Sequence, residues 1–384
     1  MRTPWTSALA LAAACVMPFA AHAQTAEPIK IGAVLSTTGP VGFIGDPQQK
    51  VLELHVKRLN DAGGLLGRQV KLIVYDDQSD ANNANTFAKR LIDSDKVDAM
   101  IGGTVSPSAL AMIPHAERSG VPFVSTGGSA AIVEPVKKWV FKTPPTDRMV
   151  AERILLDMKA HGITRIGLLS DTSGFGQSGK KEVDASAGAN GITVVVQETF
   201  GPKDTDVTPQ LTKIRNAVNL QAVLVFTGAG SSPALAAKNY AQIGLKLPLY
   251  MPHAAVNQEL IKLAGAAAEG IRMPTAPFVV PDVMADADPQ KAVAQLYYSS
   301  YKEAFKADAS PFGANAYDAL ILITDAIKRA GSTDKAKVRD ALEQSKNVVG
   351  LNGVFSMTAA NHNGLTPDAL RMVEVQGGKF VAAK

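Results

Sequence analysis

Cysteine is all but missing from this chain: one residue in 384, Cys15, within the first two dozen positions. No disulfide framework, thiol nucleophile or cysteine metal site can be built downstream of it, so stability must come from an apolar core. Aromatic residues are few, at 6%, and the formal charge is only +4, with the lysines spread along the chain. Nucleic-acid binders need basic tracts interleaved with aromatics, so no nucleic-acid partner is expected. Catalytic signatures are missing too. There is no G-x-S-x-G elbow and no H-E-x-x-H pair, and His55, His115, His161, His253 and His362 lack ligand spacing. Asp76-Asp77 reads as a solvated turn at a strand end, not a metal site. The expectation is therefore no enzyme, no metal and no cofactor. Beyond the first residues no apolar run reaches membrane-spanning length, which predicts a soluble product.

What is present begins with MRTPWTSALALAAACVMPFAAHAQ, in which Arg2, an apolar run and Ala21-His22-Ala23 form the pattern of a secretory signal cleaved near Ala23. A transmembrane helix is the competing reading, but the run is short and Pro18 interrupts it. Cys15 offers a lipid-anchor alternative, against which the very short apolar stretch before it argues.

After the leader, one half is written twice. IGG, a polar loop and SPSALAMIPHAERSGVPFVSTGG (101–128) are answered by VLVFTGAG and SSPALAAKNYAQIGLKLPLYMPHAA (223–255). Pro122 lies fifteen positions after Pro107, and Pro248 fifteen positions after Pro233. Upstream, IGAVL with Gly42-Phe43-x-Gly45 matches IGLLS with Gly174-Phe175-Gly176. Short β-branched runs alternate with helical patterns almost throughout, which implies parallel sheets covered on both faces. Two similar α/β lobes with chain crossings near 141–149, 272–278 and 348–355 follow, loop positions of the kind that absorb hinge motion. The division read from the chain is a signal peptide at 1–23, a first lobe of 24–145 plus 276–350, and a second lobe of 146–275 plus 351–384.

Ser106-Pro107 and Ser232-Pro233 read as helix starts, serine at the N-cap and proline at the first helical position. Both follow parallel strand ends, where open α/β sheets bind ligands and helix N-termini present N–H groups to an anion. Ser108 would add a hydroxyl, and the Gly127-Gly128-Ser129 turn close backbone approach. Ser173 to Lys180 fits both G-x-G-x-x-G and a phosphate loop, but Lys181 stands where a metal-holding Ser or Thr belongs. The plainer reading is a glycine-flexed loop that presents Phe175 to the cleft opposite Phe43, two rings that sandwich an apolar group. His253 closes the LPLYMP strand at the same end, where a structural histidine and a ligand contact are both open readings.

IKIGAVLSTTGPVGFIGD, LNDAGGLLGR, VYDDQSDANNA, VDAMIGG, GVPFVSTGG, DTDVTPQLTKI, AAAEGI and NAYDALILITDAIKRAG together resemble the periplasmic solute-binding proteins of ABC importers, in the leucine/isoleucine/valine-binding branch. The resemblance covers nearly the whole chain after the leader. It implies a two-lobe type I clamshell with three hinge crossovers, a periplasmic monomer, a small-molecule carboxylate ligand and an inner-membrane permease as partner. By position it places the ligand's carboxylate on Ser106, Ser108, Gly127 and Ser129, the family's first-lobe aromatic at Phe43 or Ile44 and its second-lobe aromatic at Phe175, and second-lobe contacts at Gly228, Ala229 and His253. Amino-acid binders of the family carry an acidic residue after the strand matching LPLYM, to pair with the ammonium. Here Pro252-His253-Ala254-Ala255 stands instead, and the loop Thr227-Gly228-Ala229-Gly230 lacks the usual aromatic. A buried ammonium without a counter-charge is costly, so an aromatic or other organic acid lacking the amine is preferred over leucine. A ligand sensor of the same fold is the alternative; an exported enzyme is the remaining one.

Overall fold

The computed structural model describes residue 1 and residues 27–384, apart from positions 202, 229, 282 and 283. The leader therefore lies outside the described residues, and so does Ala229.

Ten parallel strands carry the architecture. The first sheet takes β1 (Ile29–Leu35), β2 (Val70–Asp76), β3 (Ala99–Gly102), β4 (Phe123–Ser125) and β5 (Val140–Lys142), with α1 (Gly42–Asp61), α2 (Ala81–Asp93) and α3 (Ser106–Ser119) between them. After α4 (Asp147–Ala160) the chain enters the second sheet through β6 (Arg165–Asp171), β7 (Thr193–Phe200), β8 (Ala222–Phe226), β9 (Leu249–Tyr250) and β10 (Arg272–Thr275). These strands alternate with α5 (Gly174–Ser186), α6 (Thr208–Arg215), α7 (Ser231–Gln242) and α8 (Gln258–Ala264). Strand order is β2-β1-β3-β4-β5 in the first sheet and β7-β6-β8-β9-β10 at the start of the second. The two orders are one topology, and that is the physical content of the written-twice sequence.

The chain then leaves the second sheet for α9 (Pro289–Phe305), α10 (Pro311–Ala330) and α11 (Lys335–Glu343). A small ladder of β11 (Val348–Val349) and β12 (Val354–Phe355) follows, and β13 (Arg371–Gln376) and β14 (Lys379–Ala382) then extend the second sheet antiparallel to β10. Helix α10 packs chiefly along α1 and buries Ala316, Leu320, Ile323 and Ile327 at helical spacing. Ser310 caps it, accepting from Phe312 N, and Gly331 ends it in the left-handed region at φ 58°. The inner strands β1, β3, β6 and β8 are buried on both faces, as parallel sheets require, while the outer strands β2 and β7 are partly exposed.

Three local expectations change. Ser173 to Lys180 is not a loop: Ser173 caps α5 by accepting from Gly176 N at 3.2 Å, and the glycines lie in its first turns. They serve proximity, not flexibility. A Cβ on Gly179 would sit 2.0 Å from the Phe226 ring, and one on Gly176 would sit 2.3 Å from Asp171 O. Gly45 of α1 does the same against Ser36 O, at 2.0 Å. The matched glycines thus let each half's first helix start against the end of its first strand. Ser106 and Ser232 do not cap their helices either. The caps are Val105, extended, and Gly230, at φ 117°, with no side-chain hydrogen bond in either case. Asp76-Asp77 is an ordered turn: Asp76 accepts from Thr37 N, Thr38 N, Gln78 N and Thr38 Oγ1, and Asp77 is buried.

Candidate functional site

All ten parallel strands end on one cavity of about 370 Å³. From the first sheet come Pro40, Val41 and Ile44 after β1, Ser79 after β2, Thr104 to Pro107 after β3, Thr126 and Gly128 after β4, and Pro144 and Pro145 after β5. The second sheet contributes Asp171, Ser173 and Phe175 after β6, Lys203 after β7, Gly228 and Gly230 to Ser232 after β8, His253 after β9, and Thr275 to Phe278 after β10. Phe312 and Asn315 from the start of α10, with Asn352, close one side. Carboxyl ends of parallel strands are where open α/β sheets bind ligands, and the volume suits a small molecule.

On the first-sheet side, Ser106 is the first residue of α3 and is buried, and its Oγ accepts from Ser129 N at 3.1 Å. Its own hydroxyl hydrogen remains available to donate. Ser129 is fully buried and does not line the cavity; its Oγ accepts from Ala131 N at 3.2 Å. Gly127 and Ser108 also stand behind the wall. Gly127 N donates to Ser125 Oγ, and Ser108 Oγ is buried without a partner. Gly128 forms the wall itself, and a Cβ there would lie 2.8 Å from the Phe175 ring. Thr104 Oγ1 accepts from Ser36 N at 3.0 Å and donates to Gln48 Oε1 at 2.8 Å, bracing the ends of β1 and β3.

The second-sheet side is built from rings and one spent carboxylate. Phe175 packs on Phe226 with ring centroids 5.3 Å apart and on His253 at 5.8 Å. Phe43 does not line the cavity; it meets Phe312 edge-on at 5.9 Å, and Phe312 is the ring on the wall. The expected sandwich of Phe43 against Phe175 thus becomes Phe312 and Phe175. Asp171 Oδ2 accepts from Thr227 Oγ1 at 2.6 Å and Gly228 N at 2.8 Å, and Oδ1 accepts from Ser173 N at 2.8 Å. His253 has no partner for its buried Nδ1. Burial, helped by the charge on Lys142, pushes it down to about 3, so the imidazole is neutral at physiological pH.

Sequence reasoning missed Asp171, Thr104, Phe312, Asn315 and Asn352. For Asp171 a signal existed, a carboxylate closing the apolar run TRIGLLSD at a ligand-bearing strand end. Asn315 and Asn352 come from segments that reach the cleft only through packing on the first sheet, and no local pattern marks them. Among the described residues no cluster of three or more His, Cys, Asp or Glu is placed to hold a metal, and no helix is long and apolar enough to cross a membrane.

Two like-ordered sheets facing one cavity through their strand ends define a two-lobed solute receptor. A family model described as periplasmic binding protein matches residues 28–379, and the chain belongs to that family. A leucine-, isoleucine-, valine-, threonine- and alanine-binding protein of Pseudomonas aeruginosa is 28% identical over 335 residues, 86% of each chain. Among solved structures, an extracellular ligand-binding receptor from Rhodopseudomonas palustris HaA2 aligns at a TM-score of 0.86 and 29% identity, over 93% of this chain and all of that one. A solute binding protein of an ABC transporter from Rhodopseudomonas palustris BisB5, in complex with 3,4-dihydroxybenzoic acid, shares the fold at a TM-score of 0.76 and 21% identity, over 92% of this chain and 95% of that one. The expected membership of the periplasmic solute-binding proteins holds, and with it a solute-binding role; leucine/isoleucine/valine-binding proteins are among its relatives.

Proposed function

We propose that this protein is the extracytoplasmic receptor of an ABC importer, closing over a small carboxylate and delivering it to an inner-membrane permease. The observation that carries the reading is the first turn of α3 opening onto the cavity with the Ser106 hydroxyl beside it. Pro107 has no N–H and Ala109 N donates to Val105 O, but the N–H groups of Ser106 and Ser108 have no intrahelical acceptor and carry partial positive charge, a seat for a carboxylate. Ser106 and Gly128 contact the anion. Ser129 holds Ser106 through its N–H, and Ser108 and Gly127 support the turn from behind. Phe175 and Phe312 flank the ligand's apolar part, with Gly228 and His253 completing the second lobe. Phe43 supports Phe312.

The ligand is an acid lacking the amine in preference to an amino acid, because the one carboxylate on the described wall, Asp171, is already held by three protein donors. The hinge runs through divisions at 145/146, 275/276 and 350/351, with each lobe moving as a unit. The protein works as a monomer in the periplasm after cleavage near Ala23. Isothermal titration against leucine, phenylalanine, benzoate and 4-hydroxybenzoate tests the reading: an acid binds and raises the melting temperature. Silence from all carboxylates refutes it.

A further inference from the structure

Behind the cavity floor lies a charge that the binding geometry has not used. Lys142, the last residue of β5, is fully buried. Its Nζ donates to Pro144 O at 2.7 Å and Pro145 O at 2.9 Å, and both prolines line the cavity. No carboxylate lies within ion-pair distance of it among the described contacts. A buried ammonium held only by neutral carbonyls is costly and gains from any anion brought near it.

The surrounding carboxylates act on that ammonium at a distance, and none touches it. Arg148 pairs with Glu134 at 2.6 Å and with Glu182 at 2.8 Å, so those two carboxylates are answered elsewhere. Asp147 spends Oδ1 on Ala130 N and Arg148 N, while its Oδ2 is buried without a hydrogen-bond partner; burial raises this carboxyl above its ordinary range, and its charge and that of Lys142 act on each other. His362, whose backbone carbonyl accepts from Lys142 N, bonds Val140 O and Glu343 through its ring. His253, on the far side, is neutral. On the cavity wall itself Asp171 is consumed by the protein, and Lys203 is exposed.

We infer that Lys142 sets the charge selectivity of the cleft, acting through the floor as the buried cation that makes the site hold a monoanionic acid in preference to the zwitterion of the same skeleton. This deepens the proposed function and rests on it. Lys142 is a positioning charge and not a contact: the ligand meets the floor, and the ammonium beneath it supplies attraction that a nearby ligand ammonium would largely cancel.

Burial pushes Lys142 down to about 7, against the pull of Asp147 and Glu134. An anion seated above it favours the charged form, so binding takes up a proton at neutral pH. Raising the pH through 7 deprotonates the empty site first and weakens the acid's affinity.

The test compares 3-phenylpropionate with L-phenylalanine, which differ only by the ammonium, alongside benzoate and 4-hydroxybenzoate. Titration calorimetry is run in two buffers of different ionisation enthalpy, on the wild type and on Lys142→Met. Wild type is expected to favour 3-phenylpropionate by about tenfold or more, with uptake of up to about half a proton at pH 7. In Lys142→Met the preference shrinks by about the same factor and the buffer dependence vanishes. A folded Lys142→Met that keeps the wild-type preference overturns the inference and leaves the carboxylate site standing. Should that variant not fold, the wild type decides alone: a heat identical in both buffers and an affinity flat from pH 6 to 9 overturn it. Absence of binding by every acid overturns the site reading, and the inference with it.

Discussion

The two halves of the cleft share a strand order and differ in how they finish their strands. In the first half, the end of β1 is tied to the end of β3 by neutral groups, Ser36 N to Thr104 Oγ1 and on to Gln48. At the equivalent place in the second half, Asp171 ties the end of β6 to the end of β8 through Thr227 Oγ1 and Gly228 N. The neutral brace leaves the α3 turn free to receive an anion. The charged brace uses up its own carboxylate, so the second wall offers the Phe175 ring and a neutral imidazole among the hydroxyls of Ser173, Ser231, Ser232 and Thr275 and the exposed Lys203. Duplication therefore produced a matched frame with two chemically unlike jaws, one whose helix turn is left open to an anion and one whose own carboxylate is spent on its brace.

The largest effect that sharpens this contrast is at the braces. Asp171→Ala leaves Thr227 Oγ1, Gly228 N and Ser173 N without their acceptor in a buried corner, and should cost about 3 kcal/mol of stability in urea unfolding. Thr104→Val at the neutral brace should cost about 1–2 kcal/mol. Equal losses would mean that the two braces are energetically alike and the contrast is one of appearance.

Next come the glycines that bring the jaws together. A Cβ at Gly128 meets the Phe175 ring at 2.8 Å, whereas one at Gly230 meets Phe43 only at 4.0 Å but sits on a backbone at φ 117°. Gly128→Ala should therefore weaken ligand binding by about tenfold with little change in melting temperature, because the wedge acts when the lobes close. Gly230→Ala should lower stability by about 1 kcal/mol through backbone strain. Calorimetric titration and thermal unfolding of both variants separate the two mechanisms, and a Gly128→Ala protein with wild-type affinity would show that the jaws do not need that approach.

Much of the frame was legible because it rests on periodicity. Strand runs, α10 and the repeat follow from apolar spacing, and the twin topology turns the proline spacing into geometry. Helix starts were less legible. Ser-Pro is a sound cap signal in isolation, yet Val105 and Gly230 precede it with backbone conformations that start each helix earlier. The glycines of α5 looked like a flexible loop since sequence cannot distinguish a glycine chosen for freedom from one chosen for closeness; Phe226 against Gly179 decides it. Site residues at strand ends were readable in kind. Phe312 and Asn315 were not, because α10 reaches the cleft through its packing along α1, a contact with no local signature.

The smallest predicted effect tests the serines that first suggested the repeat. Ser106 Oγ accepts from Ser129 N and lies at the first turn of α3, so it holds the turn and keeps a proton to donate. Ser232 occupies the second position of α7, partly exposed, on the opposite wall. Ser106→Ala should weaken acid binding by about fivefold to tenfold, the net value of a typical hydrogen bond, and Ser232→Ala by less than about twofold. Their ratio is the informative quantity, since both changes remove the same hydroxyl from matching helix starts. A ratio near one would place the anion midway between the jaws and end the assignment of the carboxylate to the first.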